Sequence, residues 1–332
     1  MRTGSKFLAG VLTAALTLCT GMTSFAAGAP DYEDMSSITV EKVYQLENDG
    51  TVSPAENFTL IQKGKGTVTD GEAESAPDLR IITEAAFAKG AANVEGTATA
   101  VFTITLPEYE RVGIYEYTLE ETRGTTAGVT YRTDPIRLVV TVINDGDKTR
   151  VAAVHTETEG DDKVDSFTNL YSAGELTVAK TVGGNLGDKG KYFEFHITLN
   201  APEGKTVSSD MRVSGGSYAE NPEAVALEEE MTFWLKDGET LHFTNLPYGV
   251  TYVVEEDVEE IAADGYTTKL SEGSAAAAGE ITSVLTAVSY HNEKEGIVDM
   301  GISLDSLPYL LILAGVVCAA AVMIVRKRRL RK

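Results

Sequence analysis

Alternation with a period of two runs through almost the whole of this chain, in short segments closed by Gly, Asp or Asn, and it leaves little choice but β-strand. "TATAVFTITL" (97–106) and "YFEFHITL" (192–199) are such segments. "IRLVVTVINDGDKTRVAAVHTE" (136–157) reads as a hairpin turning at Asp145-Gly146, and "MTFWLKDGETLHFTNL" (231–246) as another turning at Asp237-Gly238. Trp234, on the second of these, reads as a core residue. Only "TEAAFAKG" (83–90) offers a turn or two of helix, and "EGSAAAAGE" (272–280) reads as a loop of low complexity. The pattern predicts an all-β protein with antiparallel sheets packed face to face.

The two ends break the pattern. Residues 1–26 carry Arg2 and Lys6, then an apolar run, then Ser24-Phe25-Ala26, which is the build of a secretion signal. Residues 307–325 contain no charge and are followed by the basic tail of residues 326–332, so a membrane-spanning helix with a cytoplasmic C-terminus is expected. Everything between lies outside the cell. Two basic residues sit in the leader and six in the tail, while all 50 acids lie between them. The exported part therefore sets 20 basic residues against 50 acidic ones, a net charge of −30. A nucleic acid or an anionic membrane surface would be repelled. Both cysteines, Cys19 and Cys318, fall in the end segments, so the exported region has no disulfide to stabilise it.

An internal repeat emerges when the halves are aligned. The first opens with "ITVEKVY" (38–44), continues with "GIYEYTLEE" (113–121) and closes with "SFTNLY" (166–171). After the small-residue joint Ser172-Ala173-Gly174, the second opens with "LTVAKTV" (176–182), continues with "GVTYVVEED" (249–257) and closes with "SYHNEK" (289–294). Two domains of one plan follow.

Strand parity then selects residues. Lys42 shares a face with Ile38, Val40 and Tyr44; Glu121 with Tyr115, Tyr117 and Leu119; Asn169 with Phe167 and Tyr171. In the second half the same count turns Lys180, Glu256 and Asn292 inward, while Glu120 and Glu255 face water. A single inward lysine is commonly one that snorkels at a strand end. The same three residue types in the same order in both halves are a pattern that chance explains poorly. Burial favours a neutral amine on Lys and a proton on Glu. Such an amine can attack the carboxamide carbon of Asn while Glu shuttles protons to the leaving ammonia, giving an amide between side chains. A packed core makes that slow step intramolecular, and it happens once per molecule, with no turnover.

These motifs resemble a known family. Residues 36–172 look like the streptococcal-type pilin isopeptide-linkage domain, and residues 174–295 are similar to the collagen-adhesin B-type repeats of Gram-positive surface proteins. The resemblance implies two immunoglobulin-like β-sandwich domains in tandem, with Lys42 bonded to Asn169 and Lys180 to Asn292, assisted by Glu121 and Glu256. It implies a pilin or stalk protein on a Gram-positive cell surface, with sortase and other pilus subunits as partners. An adhesin that takes a host or matrix ligand through its surface loops is the alternative.

Sortase substrates carry Leu-Pro-x-Thr-Gly before the span; here residues 296–306 hold Ile297-Val298-Asp299-Met300-Gly301, a degenerate sorting signal. Either an unusual sortase accepts it or the chain stays in the membrane, and the span with its tail suffices for the second. Lys163, in "GDDKVD", reads as a solvated loop lysine. No enzyme signature is present: the histidines have no metal-ligand spacing, no Gly-x-Ser-x-Gly elbow occurs, and "KGKGT" (63–67) lacks the spacing of a phosphate loop. No cofactor or metal is expected.

Overall fold

The computed structural model describes residues 34–158, 160, 162–297 and 307–329. The secretion signal, the residues from Val298 to Gly301 of the sorting region, and the last three residues of the basic tail lie outside them. In the first half the main strands are β1 (Ser37–Leu46), β2 (Thr99–Thr105), β3 (Gly113–Glu121), β4 (Val129–Thr130), β5 (Ile136–Asp145), β6 (Lys148–Glu157) and β7 (Ser166–Tyr171). In the second they are β8 (Ala173–Gly183), β9 (Phe193–Asn200), β10 (Glu230–Leu235), β11 (Thr240–Pro247), β12 (Thr251–Glu256), β13 (Thr267–Leu270) and β14 (Leu285–Glu293). A short helix α1 (Val258–Ala263) follows β12, and α2 (Leu307–Arg329) ends the described chain.

Each half is a sandwich of two sheets. In the first, β2-β1-β7-β4 form one sheet, extended past β2 by Ile81–Ile82, and β6-β5-β3 with Leu60–Gln62 form the other. In the second, β11-β8-β14-β13 form one sheet and β10-β9-β12 with Ala278–Glu280 the other. The first and last strands of each half pair in parallel, β1 with β7 and β8 with β14. Alternate residues of every long strand point inward, so the cores are built from aromatic and branched side chains such as Tyr44, Phe102, Tyr117 and Leu138, then Phe195, Phe233, Phe243 and Val254. Each such side chain, fully buried, contributes about 1.5–3 kcal/mol.

The expected strands at 97–106 and 192–199 and the hairpin at 136–157 form; Asp145 pairs with Lys148, and Gly146 supplies the positive φ of +63° that the turn requires. Four local expectations are corrected. The segment 83–90 is not helical: Ala85–Phe87 is a strand paired with Glu56–Phe58, because Ala85 and Phe87 alternate into the core. The segment 272–280 is not wholly loop, since Ala278–Glu280 adds a strand beside β12. β10 and β11 do not form a ladder with each other; the chain crosses at Asp237-Gly238 from one sheet to the facing one. Trp234 lies on the outer side of β10, half-buried against Tyr218 at 4.9 Å between ring centroids, while Met231, Phe233 and Leu235 take the core. Lys163 is exposed, as expected, but sits in a short strand (Lys163–Val164) paired with β6.

Helix α2 covers the segment expected to span a membrane, and its side chains are exposed where they are described, at Tyr309 and residues 311–323. Among the described residues no helix is long and apolar enough to cross a membrane.

Between the sandwiches only Ser172 separates β7 from β8. Asn245, in left-handed backbone at φ 58°, closes the joint: its amide oxygen accepts the Val52 N–H at 3.0 Å and its amide nitrogen donates to the carbonyls of Val52 (3.1 Å) and Asp210 (3.3 Å). A second backbone clasp joins Ala127 N–H to the Thr206 carbonyl (2.9 Å) and Thr206 N–H to the Thr125 carbonyl (2.8 Å).

Candidate functional site

Lys42 occupies the middle of β1, between Val40 and Tyr44 on the inward face, and its side chain is completely buried. The parallel ladder sets Lys42 beside Phe167 and Tyr44 beside Asn169, so Asn169 stands on the same face two residues further along. Glu121 comes from the facing sheet, as the last residue of β3. The three meet inside the sandwich. Lys42 Nζ donates to Glu121 Oε2 at 2.5 Å and to Asn169 Oδ1 at 2.6 Å, and Asn169 Nδ2 donates to Glu121 Oε1 at 2.5 Å. The Arg132 backbone N–H adds a contact to Oε1 at 3.2 Å. Phe58 covers the amine, its ring centroid 4.7 Å from Nζ.

The second half repeats the arrangement with one change. Lys180 sits beside Tyr290 and Val182 beside Asn292, the same two-residue offset, and Glu256 closes β12 in the facing sheet. Lys180 and Asn292 are completely buried and Glu256 is 5 % exposed. Here a single oxygen, Glu256 Oε1, receives both Lys180 Nζ at 2.5 Å and Asn292 Nδ2 at 2.8 Å. Glu256 Oε2 accepts the Thr268 hydroxyl at 2.7 Å, and Asn292 Oδ1 has no hydrogen-bond partner. Phe193 and Phe195 lie against the amine, at 4.4 and 5.8 Å.

Burial dominates the electrostatics. Loss of water lowers the pKa of Lys42, against the opposing pull of Glu121, and the positive charge of Arg132 lowers it further. Burial pushes Lys180 down to about 8, with Glu256 opposing. Both amines are thus biased toward the neutral, nucleophilic form, each within reach of a carboxyl group and a carboxamide.

All six residues picked by strand parity are therefore assembled, three to each core. The contacts of Thr268 and of the Arg132 backbone escaped sequence reasoning, since "TTKL" (267–270) is mostly exposed and a backbone N–H leaves no mark in composition. Of the Ile297–Gly301 signal only Ile297 is described, and it is almost fully exposed. Among the described residues Glu194, Asp257 and Glu260 bring carboxylate oxygens within 4.8 Å of one another, but Lys191 already pairs with Glu260.

Tandem sandwiches whose first and last strands carry a buried lysine and asparagine, bridged by a glutamate from the facing sheet, define a structural surface protein of pilin type. Comparison with known proteins agrees. Residues 38–172 match the family described as Spy0128-like isopeptide containing domains. Residues 174–294 match a family described only as a domain of unknown function (DUF7601), so the collagen-adhesin likeness expected there is not the one that matched. The chain is 29% identical over 335 residues to a pilin of Streptococcus pyogenes serotype M1, covering 93% of this chain and 96% of that one. It is 32% identical over 136 residues to the pilus tip adhesin Cpa of Streptococcus pyogenes, over 40% of this chain and 18% of that one. The crystal structure of the major pilin from Streptococcus pyogenes aligns with a TM-score of 0.53 at 25% identity, covering 79% of this chain and 99% of that chain.

Proposed function

We propose that this chain is a pilus subunit whose two sandwiches are each closed by an amide formed between its own side chains, Lys42 to Asn169 and Lys180 to Asn292. The observation that carries the reading is the Lys42–Glu121–Asn169 triangle, buried and closed by a hydrogen bond along each side. In the step, Glu takes one proton from the lysine ammonium and the free amine attacks the asparagine Cγ. The new C–N bond forms, the bond to Nδ2 breaks, and nitrogen departs as ammonia with a proton returned by Glu; the amine's other surplus proton stays on Glu or leaves with the ammonia. Held geometry supplies the rate, because the partners never have to find each other. The reaction occurs once and closes loops of 127 and 112 residues. Nothing turns over, so the chain is a structural protein and not an enzyme.

The same reading places the protein on the outside of a Gram-positive cell, held by the apolar helix at 307–325 with its basic tail inside. Whether sortase acts at Met300-Gly301 decides between wall linkage and retention in the membrane. The intact mass of the purified ectodomain, residues 31–300, tests the bonds beside Lys42→Ala and Lys180→Ala. A wild-type mass short by two ammonia units, with one regained in each variant, is expected. A full mass in folded protein would refute both bonds.

A further inference from the structure

Glu256 is held from two sides. Its Oε1 meets both reacting groups, Lys180 Nζ at 2.5 Å and Asn292 Nδ2 at 2.8 Å, and its Oε2 meets only the Thr268 hydroxyl at 2.7 Å. Thr268 stands directly opposite Asn292 in the β13–β14 ladder, so the two side chains share a face and reach the carboxyl group together. In the first sandwich, Lys42 Nζ uses Oε2 of Glu121 and Asn169 Nδ2 uses Oε1, so each reacting nitrogen has its own oxygen. There the extra donor is the backbone N–H of Arg132, just beyond β4, which lies beside β7 as β13 lies beside β14.

We propose that Thr268 is a positioning residue for amide formation in the second sandwich: by donating to Oε2 it leaves Oε1 as the single oxygen that relays the proton. This rests on the roles given above to Lys180, Glu256 and Asn292. Oε1 is the oxygen that Lys180 Nζ touches, and the Thr268 hydroxyl occupies Oε2 and fixes that orientation, so the proton taken from Lys180 settles on Oε1. From there it is 2.8 Å from the nitrogen that must leave as ammonia. The same contact stops the carboxyl group from turning about its terminal bond, a broad torsion that burial alone restrains weakly. Atoms balance as before: the Nζ–Cγ bond forms, the Cγ–Nδ2 bond breaks, and Oε1 passes on one proton and accepts one from the new amide.

The test follows the mass of the full ectodomain after a short pulse of expression, with ammonia loss located by digestion to the Lys42–Asn169 or the Lys180–Asn292 peptide pair. Thr268→Val removes the hydroxyl and keeps the branched shape; Thr268→Ser keeps the hydroxyl. Loss of one hydrogen bond to a charged group predicts closure of the second loop slowed by about tenfold or more in Thr268→Val, with near-normal closure in Thr268→Ser. The first loop, in the same molecules, is the internal standard and closes at the wild-type rate. Second-loop closure at the wild-type rate in Thr268→Val overturns the proposal and leaves the bonds themselves standing. Equal slowing in Thr268→Ser also overturns it, because a strand defect then explains the result. A wild type that never loses ammonia from Lys180–Asn292 removes the underlying reading, which is a different outcome from either. Should Thr268→Val misfold by near-ultraviolet circular dichroism, Thr268→Ala against Thr268→Ser gives the same comparison.

Discussion

Replacing Asn169 by alanine isolates the contribution of the proposed Lys42–Asn169 bond to stability. Lys42 and Glu121 stay in contact at 2.5 Å, so no buried charge loses its partner, and what disappears is the cross-link with a small volume of side chain. Lys42 and Asn169 are 127 residues apart. The chain-entropy expression developed for disulfides then gives about 5 kcal/mol for closing the loop, and the cavity adds about 1 kcal/mol. For a sandwich spanning residues 38–172 each kcal/mol moves the melting point by roughly 3–5 °C, so a total of about 6 kcal/mol should lower the first-domain transition by about 18–30 °C. Differential scanning calorimetry of the ectodomain, with mass spectrometry of the same samples, measures both quantities. A variant that regains one ammonia mass yet melts within about 5 °C of wild type refutes the loop-closure argument.

Two more outcomes can be checked. In Asn292→Ala the Lys180 amine survives, with a folded pKa of about 8 against an ordinary 10.5. The unfolded chain then binds more protons between those values, so stability rises with pH across that window, by at most about 1.4 kcal/mol per unit, and the full cost persists below pH 8. Urea titrations at several pH values should show this rise relative to wild type, whose amine the proposed amide consumes; parallel curves would contradict it. Asn245→Gly accepts the positive φ but deletes the amide that grips Val52 and Asp210. Spin-label distances between the sandwiches should broaden, and an unchanged distribution would show that the remaining contacts hold the joint.

The site was readable because one-sided burial is a strict filter. Once Val40 and Tyr44 must face a core, parity sends Lys42 there too, and no register slip can rescue it without exposing the others. The repeat then gave independent support. Features that depend on which strand neighbours which were not readable. The sheet change at Asp237-Gly238 looks like any hairpin turn, and Trp234 looks apolar whichever way it points. Thr268 becomes visible only when β13 is known to lie beside β14. Asn245 is one asparagine among many until the fold brings it to Val52, 193 positions earlier.

The single residue between β7 and β8 has a consequence on a larger scale. With Ser172 as the whole connection and Asn245 bonded to Val52 across the joint, no linker segment lies between the two sandwiches. A filament assembled from such subunits would bend where one subunit meets the next, so its flexibility would be spaced at the length of two sandwiches and its contour would extend little before those joints align.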